Sequence, residues 1–198
     1  MVALKRQARK TIAKNQVLEV HLDHITDDLG HEVVDYLVVE PITKYRGHPT
    51  GVSILPLFDT QNGPMVGLIE IFRHAVRQSV WEVPRGFIDP NETPEIAAAR
   101  ELREELGLIR FQPHLDYHGS FLPESGILAA EIGLFSARFN FRTEPNWNNE
   151  IALNEIGHQK FNAIALDELV GPHPTITIQD PSTLILLDRV SKMRKEFQ

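Results

Sequence analysis

The stretch from residue 93 to residue 107 is the strongest helix signal in this sequence, and it constrains the fold more than any other segment. Thr93 can accept a hydrogen bond from the first turn, and Pro94 suits the first helical position. Gly107 suits the left-handed residue that follows a last turn. Between them the run IAAARELREEL consists almost only of strong helix formers. Any fold of this chain must accommodate this helix.

The helix is expected to have an apolar face and an acidic face. The apolar face, which should point to the core, consists of Ile96, Ala99, Leu102 and Leu106. Glu101, Glu104 and Glu105 stand three and four residues apart and share one arc of the helix. Like charges at this spacing destabilise a helix, and a hard divalent cation would offset their repulsion. The alternative interpretation is a solvated glutamate-rich face that binds nothing.

Apolar runs bounded by turn residues predict strands on both sides of the helix. The predicted strands cover residues 16–25, 31–40, 52–58, 65–72, 81–83, 127–139 and 161–166. Asn62-Gly63 predicts a hairpin between the third and fourth of them, and Asp180-Pro181 opens a closing helix. The pattern indicates an α+β domain with an α/β/α layering.

Composition narrows the function classes. The 198 residues contain 42% apolar residues, enough for a full core, and the net charge of -7 lacks the basic footprint of nucleic-acid binding. No apolar run has the length of a membrane span. The basic N-terminus is expected to be a frayed tail, without the apolar stretch of a secretory signal. The lack of cysteine excludes disulfides and thiol catalysis and is typical of a cytoplasmic protein.

The residues around the helix form a longer pattern. Gly86 is followed after five residues by Glu92, and after seven more by Arg100-Glu101-Leu102, Glu104-Glu105 and Gly107-Leu108. This spacing resembles the Nudix box at every defined position. The resemblance implies an α/β/α sandwich around a mixed sheet, and a loop–helix–loop that holds Mg²⁺ or Mn²⁺ against a diphosphate.

The resemblance also implies roles for single residues. Glu101 and Glu105 would be the principal metal ligands and so catalytic residues, with Glu104 as a third ligand. The backbone carbonyl of Arg85, just before the box glycine, would be a further ligand.

Other positions would support this metal site. Glu92 and Arg100 would orient the glutamate face by ion pairing, next to the box glycine Gly86. The segment before the box resembles that of ADP-ribose pyrophosphatases, in which an arginine at the position of Arg73 contacts the substrate phosphate. Glu82 is a candidate for a metal or substrate contact, and an exposed strand residue is the equal alternative.

The segment after the box resembles the same branch. Pro123 lies fifteen residues after Leu108, as in that branch, and Glu131 falls near the position of an expected acidic residue that contacts substrate. In relatives that cleave ADP-ribose, a loop glutamate between late strands is the proposed base. Glu155 fits that spacing best and Glu150 second, while in other branches a glutamate of the box supplies the base.

The resemblance predicts a Mg²⁺- or Mn²⁺-dependent hydrolase that cleaves ADP-ribose to AMP and ribose 5-phosphate. Nucleotide sugars such as GDP-mannose and dinucleoside polyphosphates are alternative substrates, and a non-catalytic nucleotide sensor is an alternative of another class. Residues 1–45 are expected to form a small N-terminal β sub-domain that contacts the partner of a homodimer. Residues 46–198 are expected to form the hydrolase domain.

Overall fold

In the computed structural model, which describes residues 3–42, 49–107, 113–140 and 157–196, the N-terminal part forms a three-stranded antiparallel sheet. Its strands, in spatial order, are β1 (Lys5–Lys14), β2 (Leu18–Thr26) and β3 (Glu32–Pro41). Strands β2 and β3 lie where the apolar runs predict them. The expected domain division near residue 45 falls in 43–48, outside the described residues, and stays a prediction.

The expectation of a frayed basic tail is wrong, because that tail is strand β1. Basic side chains of β1 bind acidic side chains of β2. Arg9 donates two hydrogen bonds of 2.7 Å to Asp23, and Lys14 Nζ lies 2.5 Å from Glu19 Oε1. Opposite charges on neighbouring strands stabilise their pairing. The basic side chains of this segment therefore stabilise the pairing of β1 with β2, although all ten residues of β1 are exposed.

The central sheet is mixed and has seven strands among the described residues. They are β4 (Gly51–Thr60), β5 (Gly63–Arg73), β6 (Gln78–Glu82), β7 (Arg85–Phe87), β8 (His114–Phe121), β9 (Ile132–Asn140) and β10 (His158–Ala165). Five follow the order β10-β5-β4-β9-β8, while β6 pairs with β5 and β7 pairs with β4. Strands β4 and β9 are parallel, and the other pairs are antiparallel.

Helices cover both faces of the central sheet. Helix α1 (Pro94–Leu106) packs on one face, where Leu102 and Phe58 belong to one buried cluster. Helices α2 (Leu166–Val170) and α3 (Pro181–Glu196) pack on the other, where Leu68 and Leu186 belong to a second cluster. The predicted α+β sandwich around a mixed sheet is thereby confirmed. None of the described helices has the length and apolarity that crossing a membrane requires.

Helix α1 begins and ends as its sequence predicts. Thr93 Oγ1 accepts a hydrogen bond of 3.3 Å from the backbone N–H of Ile96. Gly107 adopts the left-handed conformation with φ of 66°, and its N–H donates to the carbonyl of Arg103 at 3.0 Å. At both ends of α1, backbone N–H groups are therefore hydrogen-bonded within the helix and its caps. The helix boundaries follow from these residues alone.

The buried face of α1 differs from the expected one. Leu102 and Leu106 are buried as predicted, but Ile96 is 53% exposed and Ala99 is only partly buried. The six buried positions are Ala97, Ala98, Glu101, Leu102, Glu105 and Leu106. The helix is thus rotated so that two of its glutamates, and not Ile96, lie against the body of the protein.

The predicted strand over residues 127–139 begins only at Ile132. The segment before it joins the N-terminal sheet to the central body: the Val39 N–H donates to the Ile127 carbonyl, and the Ala129 N–H donates to the Val39 carbonyl, both at 2.8 Å. Tyr36 Oη donates to the Gly126 carbonyl at 2.7 Å. Because these backbone groups form hydrogen bonds with β3, they are not available to extend β9.

The rotation of α1 predicts unequal costs for two truncations on this helix. We expect Leu102→Ala to lower the free energy of unfolding by about 3 kcal/mol, because it leaves a cavity under the central sheet. The matched control Ile96→Ala, at an exposed position, should change it by less than about 1 kcal/mol. Urea denaturation followed by circular dichroism measures both. Equal costs would contradict this orientation of α1.

Candidate active site

A cavity of about 590 Å³ lies between helix α1, strand β7 and the edge of the N-terminal sheet. Its polar and charged lining residues are Ser53, Arg73, Arg85, Asp89, Arg100, Glu101, Glu104 and Glu105. The other lining residues are Gly86 and the apolar Leu18, Val52, Phe87, Phe121, Pro123, Leu128, Ala130 and Ile132. The three box glutamates and the arginine proposed for phosphate contact therefore share one cavity.

A second cavity, of about 540 Å³, lies on the side of the sheet covered by α2 and α3. Its lining includes His114, His118, Arg138 and Met193. None of the predicted site residues that the structure describes lines this second cavity.

The glutamate face of α1 is largely withdrawn from solvent. Glu101 and Glu105 are each only 4% exposed, while the side chain of Glu104 is 54% exposed. Arg100 Nη1 binds Glu101 Oε1 at 2.7 Å and Glu104 Oε2 at 3.0 Å. A solvated, purely superficial glutamate face is therefore not what the structure has, because two of the three carboxylates are buried.

Arg100 is itself held by Glu92. Its Nε and Nη2 donate to the two oxygens of Glu92 at 3.0 and 2.9 Å, and Nη2 also donates to the carbonyl of Phe87 at 2.7 Å. Hydrogen bonding by Arg100 holds the pKa of Glu92 below its usual value, and the bond to Glu92 raises the pKa of Arg100. This bidentate pair orients the guanidinium toward the glutamate face.

Gly86 lets the helix approach strand β7 closely. Gly86 lies opposite Val52 in the pairing of β7 with β4. A Cβ atom at this position would overlap the carboxylate of Glu101. Only glycine leaves room for a buried carboxylate here, which explains the position of the box glycine relative to Glu101.

Glu82 connects two arginines of the cavity. Arg73 donates to both oxygens of Glu82, with Nε at 2.9 Å from Oε1, and Arg85 Nη2 lies 2.9 Å from Oε2. Glu82 is only 4% exposed, so the alternative of an exposed strand residue is wrong. The bond to Glu82, with a smaller contribution from the charge of Glu105, raises the pKa of Arg73.

The donor set around α1 fits a hard divalent cation. Carboxylate oxygens of Glu101, Glu104 and Glu105 and the backbone at Arg85 are ligands that Mg²⁺ and Mn²⁺ prefer. The buried Glu101 carboxylate occupies the space that a Cβ at Gly86 would fill, which places it against the backbone next to Arg85. Within the described ranges, no three Asp, Glu or His groups are already gathered as a metal cluster. A cation would therefore have to draw the glutamates together.

Glu131 is not among the residues that line this cavity. Glu131 is partly buried and accepts a hydrogen bond from Ser120 Oγ, while its neighbours Ala130 and Ile132 line the cavity. Its substrate contact stays a prediction. Glu150 and Glu155, the two candidates for a loop base, lie in 141–156, outside the described residues.

Asp180 is a residue at this site that sequence reasoning did not assign to it. Its Oδ1 lies 3.1 Å from Nη1 of Arg85, across 95 positions of sequence. The Asp180-Pro181 pair predicts the start of the last helix, but no local sequence pattern predicts a contact of Asp180 with Arg85.

The chain is similar to known proteins in its sequence and in its fold. The NUDIX domain family matches residues 47–181, more than half of the chain. The crystal structure of an ADP compounds hydrolase aligns with a TM-score of 0.64 over 98% of this chain and 95% of that one. At 14% identity this likeness shows the fold alone.

The curated relatives match shorter stretches. An ADP-ribose pyrophosphatase of Mycobacterium tuberculosis is 44% identical over 62 residues, 31% of this chain and 28% of that protein. One of Bacillus subtilis is 30% identical over 113 residues, 52% of this chain and 53% of that protein. An RNA pyrophosphohydrolase of Pseudomonas putida is 43% identical over 54 residues, 24% of this chain and 34% of that protein. The alignments thus cover about half or less of these relatives.

The Glu92–Arg100 pair predicts a pH dependence of stability. Because the folded state lowers the pKa of Glu92 below 4.5, its contribution is present above that value and disappears as the pH falls through the folded pKa. We expect Glu92→Gln to cost about 2 kcal/mol of unfolding free energy near neutral pH, and progressively less below about pH 4.5.

Urea titrations of the wild type and the variant over that pH range measure this difference. Glu95→Gln, at an exposed position of the first turn of α1, is the matched control and should cost less than about 1 kcal/mol. A cost for Glu92→Gln that stays constant with pH would contradict the pairing.

Proposed function

The chain belongs to the NUDIX domain family, and from this premise we propose that it is a pyrophosphohydrolase of nucleoside diphosphates linked to another group. The observation that carries the proposal is the cavity at α1, which combines two buried glutamates with Arg73 and Arg85. Acidic side chains that could hold a cation and guanidinium groups that bind phosphate are both needed to grip a metal–diphosphate.

ADP-ribose is the substrate that we propose, with AMP and ribose 5-phosphate as products. The support is the similarity to two proteins described as ADP-ribose pyrophosphatases and the fold shared with an ADP compounds hydrolase. Water adds its oxygen to one phosphorus, the bridging P–O bond breaks, and the other phosphate leaves. Nucleotide sugars and dinucleoside polyphosphates contain the same bond and are the alternatives within this chemistry.

Glu101, Glu104, Glu105 and the carbonyl of Arg85 would hold Mg²⁺ or Mn²⁺. When bound, such an ion neutralises phosphate charge and acidifies water. Arg100 and Glu92 keep the glutamates in place on the protein side. Gly86 provides the space in which the Glu101 carboxylate lies.

Arg73 would bind a phosphate oxygen of the substrate. Its guanidinium is held by Glu82 on one side and lines the cavity. A carboxylate would accept the proton of the attacking water. Glu155 is our first candidate, Glu150 the second, and a glutamate of the box the alternative.

The proposal also includes a homodimer, with the N-terminal sheet as the contact, and a cytoplasmic location. Both derive from the family resemblance and the composition of the chain. A non-catalytic nucleotide sensor is the alternative of a different class, and the buried glutamates of α1 favour the enzyme over it, because a sensor without turnover has no need of a catalytic metal.

A product assay over a substrate panel tests the function. The panel contains ADP-ribose, GDP-mannose, a dinucleoside polyphosphate and RNA with a 5′-triphosphate, each with Mg²⁺, with Mn²⁺ and with a chelator. AMP and ribose 5-phosphate from ADP-ribose, formed only with a divalent ion, are the expected result. Binding of ADP-ribose without any product would support the sensor, and turnover of another panel member alone would reassign the substrate.

Glu105→Gln should lower kcat by at least about a hundredfold while the protein stays folded, because it removes a negative charge from the proposed metal site. Glu95→Gln is again the matched control, since it makes the same chemical change at an exposed position of the same helix and should leave kcat within about twofold. Steady-state kinetics with ADP-ribose and thermal unfolding measure both effects. A Glu105→Gln variant with the activity of the wild type would exclude this residue from the mechanism.

A further inference from the structure

A chain of ion pairs runs from the cavity to the first turn of helix α3. Arg73 binds Glu82, Glu82 binds Arg85 at 2.9 Å, and Arg85 binds Asp180 at 3.1 Å. Both acids are buried, with side chains 5% and 4% exposed, whereas each arginine side chain is 37% exposed and lines the cavity. The side chains of Arg73 and Arg85 thus line the space for substrate, while the buried carboxylates of Glu82 and Asp180 bind them on the protein side.

The two oxygens of the Asp180 carboxylate bind different partners. Oδ2 accepts hydrogen bonds of 2.8 Å from the N–H and from Oγ1 of Thr183, and another from Ser182 Oγ. These contacts cap the beginning of α3. Oδ1 lies toward Arg85. Because the first oxygen is anchored by the helix, the position of the second is determined by the packing of α3.

Arg73 and Arg85 are held side by side, because both approach Oε2 of Glu82. Two guanidinium groups this close repel each other unless an acid lies between them, which is the place of Glu82. A guanidinium has five N–H donors, so each arginine keeps donors beyond those that its carboxylates engage. Two neighbouring guanidiniums are complementary to the oxygens of a diphosphate.

Holding a long side chain in one orientation before the ligand arrives reduces the entropy lost on binding. Arg85 is bound at two separate nitrogen atoms, Nη2 by Glu82 and Nη1 by Asp180. Glu82 alone would leave the guanidinium free to turn about that contact. The second carboxylate fixes its plane.

We propose that Arg85 and Arg73 form a paired clamp for the substrate's diphosphate, and that Asp180 is a positioning residue that holds Arg85 in this clamp. The proposal rests on the proposed function, and it gives the side chain of Arg85 a role separate from the metal contact of its backbone carbonyl. It also ties substrate affinity to the last helix of the fold.

The test uses Asp180→Asn in the full chain. Asparagine is as good a helix cap as aspartate, so the contact with the Thr183 N–H is kept while the charged partner of Arg85 is lost. We expect KM for ADP-ribose to rise about tenfold with kcat within about twofold of wild type. Calorimetry with inorganic pyrophosphate in a chelator should show a dissociation constant raised about as much.

Two further variants separate positioning from support of the fold. Ser182→Ala removes one contact to the same carboxylate but leaves both Thr183 contacts and the Arg85 contact in place, so its KM and its pyrophosphate affinity should stay within about twofold of the wild type. Arg85→Met removes the clamp residue itself and should weaken pyrophosphate binding about tenfold or more. In the double variant, Asp180→Asn should then have no further effect, since its target is gone.

An unchanged KM and pyrophosphate affinity in Asp180→Asn would overturn the proposal. An effect of Asp180→Asn that persists in the Arg85→Met background, or that Ser182→Ala reproduces, would assign Asp180 to the fold alone and overturn it as well. Should Asp180→Asn fail to fold, pyrophosphate binding by Arg85→Met decides, and wild-type affinity there excludes the clamp. A wild type that binds pyrophosphate but hydrolyses nothing in the panel contradicts the proposed function and leaves the clamp supported.

Discussion

Two glutamates of one helix are buried beneath strand β7, and the organisation of the site depends on this burial. A carboxylate removed from water is costly unless it is paired. Glu101 is paired with Arg100, and it has room only because position 86 is glycine. Helix α1 is rotated to accommodate both acids, which leaves Ile96 exposed. Burying charged side chains in this way costs folding free energy, whereas an apolar helix face would pack at a lower cost. Such a cost is typical of a functional site.

The arginines of the cavity are each held by a carboxylate from a different segment. Arg100 is bound by Glu92 of the loop before α1, and Arg85 by Asp180 at the beginning of α3. Arg73 is bound by Glu82 at the end of β6. These guanidinium groups are thereby kept in fixed places before any ligand arrives, which is the arrangement that electrostatic catalysis requires of groups that bind phosphate. The geometry of the site therefore depends on packing across the whole central body.

The sequence predicted what short-range interactions determine. The sequence alone predicts the ends of α1, the β4–β5 hairpin at Asn62-Gly63 and the box spacing, because each depends on residues close along the chain. It missed strand β1, because its ten exposed residues, half of which are basic, show no apolar pattern, and it missed the contact of Asp180 with Arg85, because the two lie 95 positions apart. It also expected Ile96 in the core, because an amphipathic pattern does not tell how a helix turns to bury charged side chains.

We propose that the buried glutamate face of α1 holds a divalent ion that faces a diphosphate. The most direct measurement is an anomalous difference map from crystals soaked with Mn²⁺ and a non-hydrolysable ADP-ribose analogue. We expect a peak bonded to carboxylate oxygens of Glu101 and Glu105, next to Gly86, with the diphosphate between it and Arg73. A bound analogue with no peak at these carboxylates, or a peak only elsewhere on the protein, would contradict it.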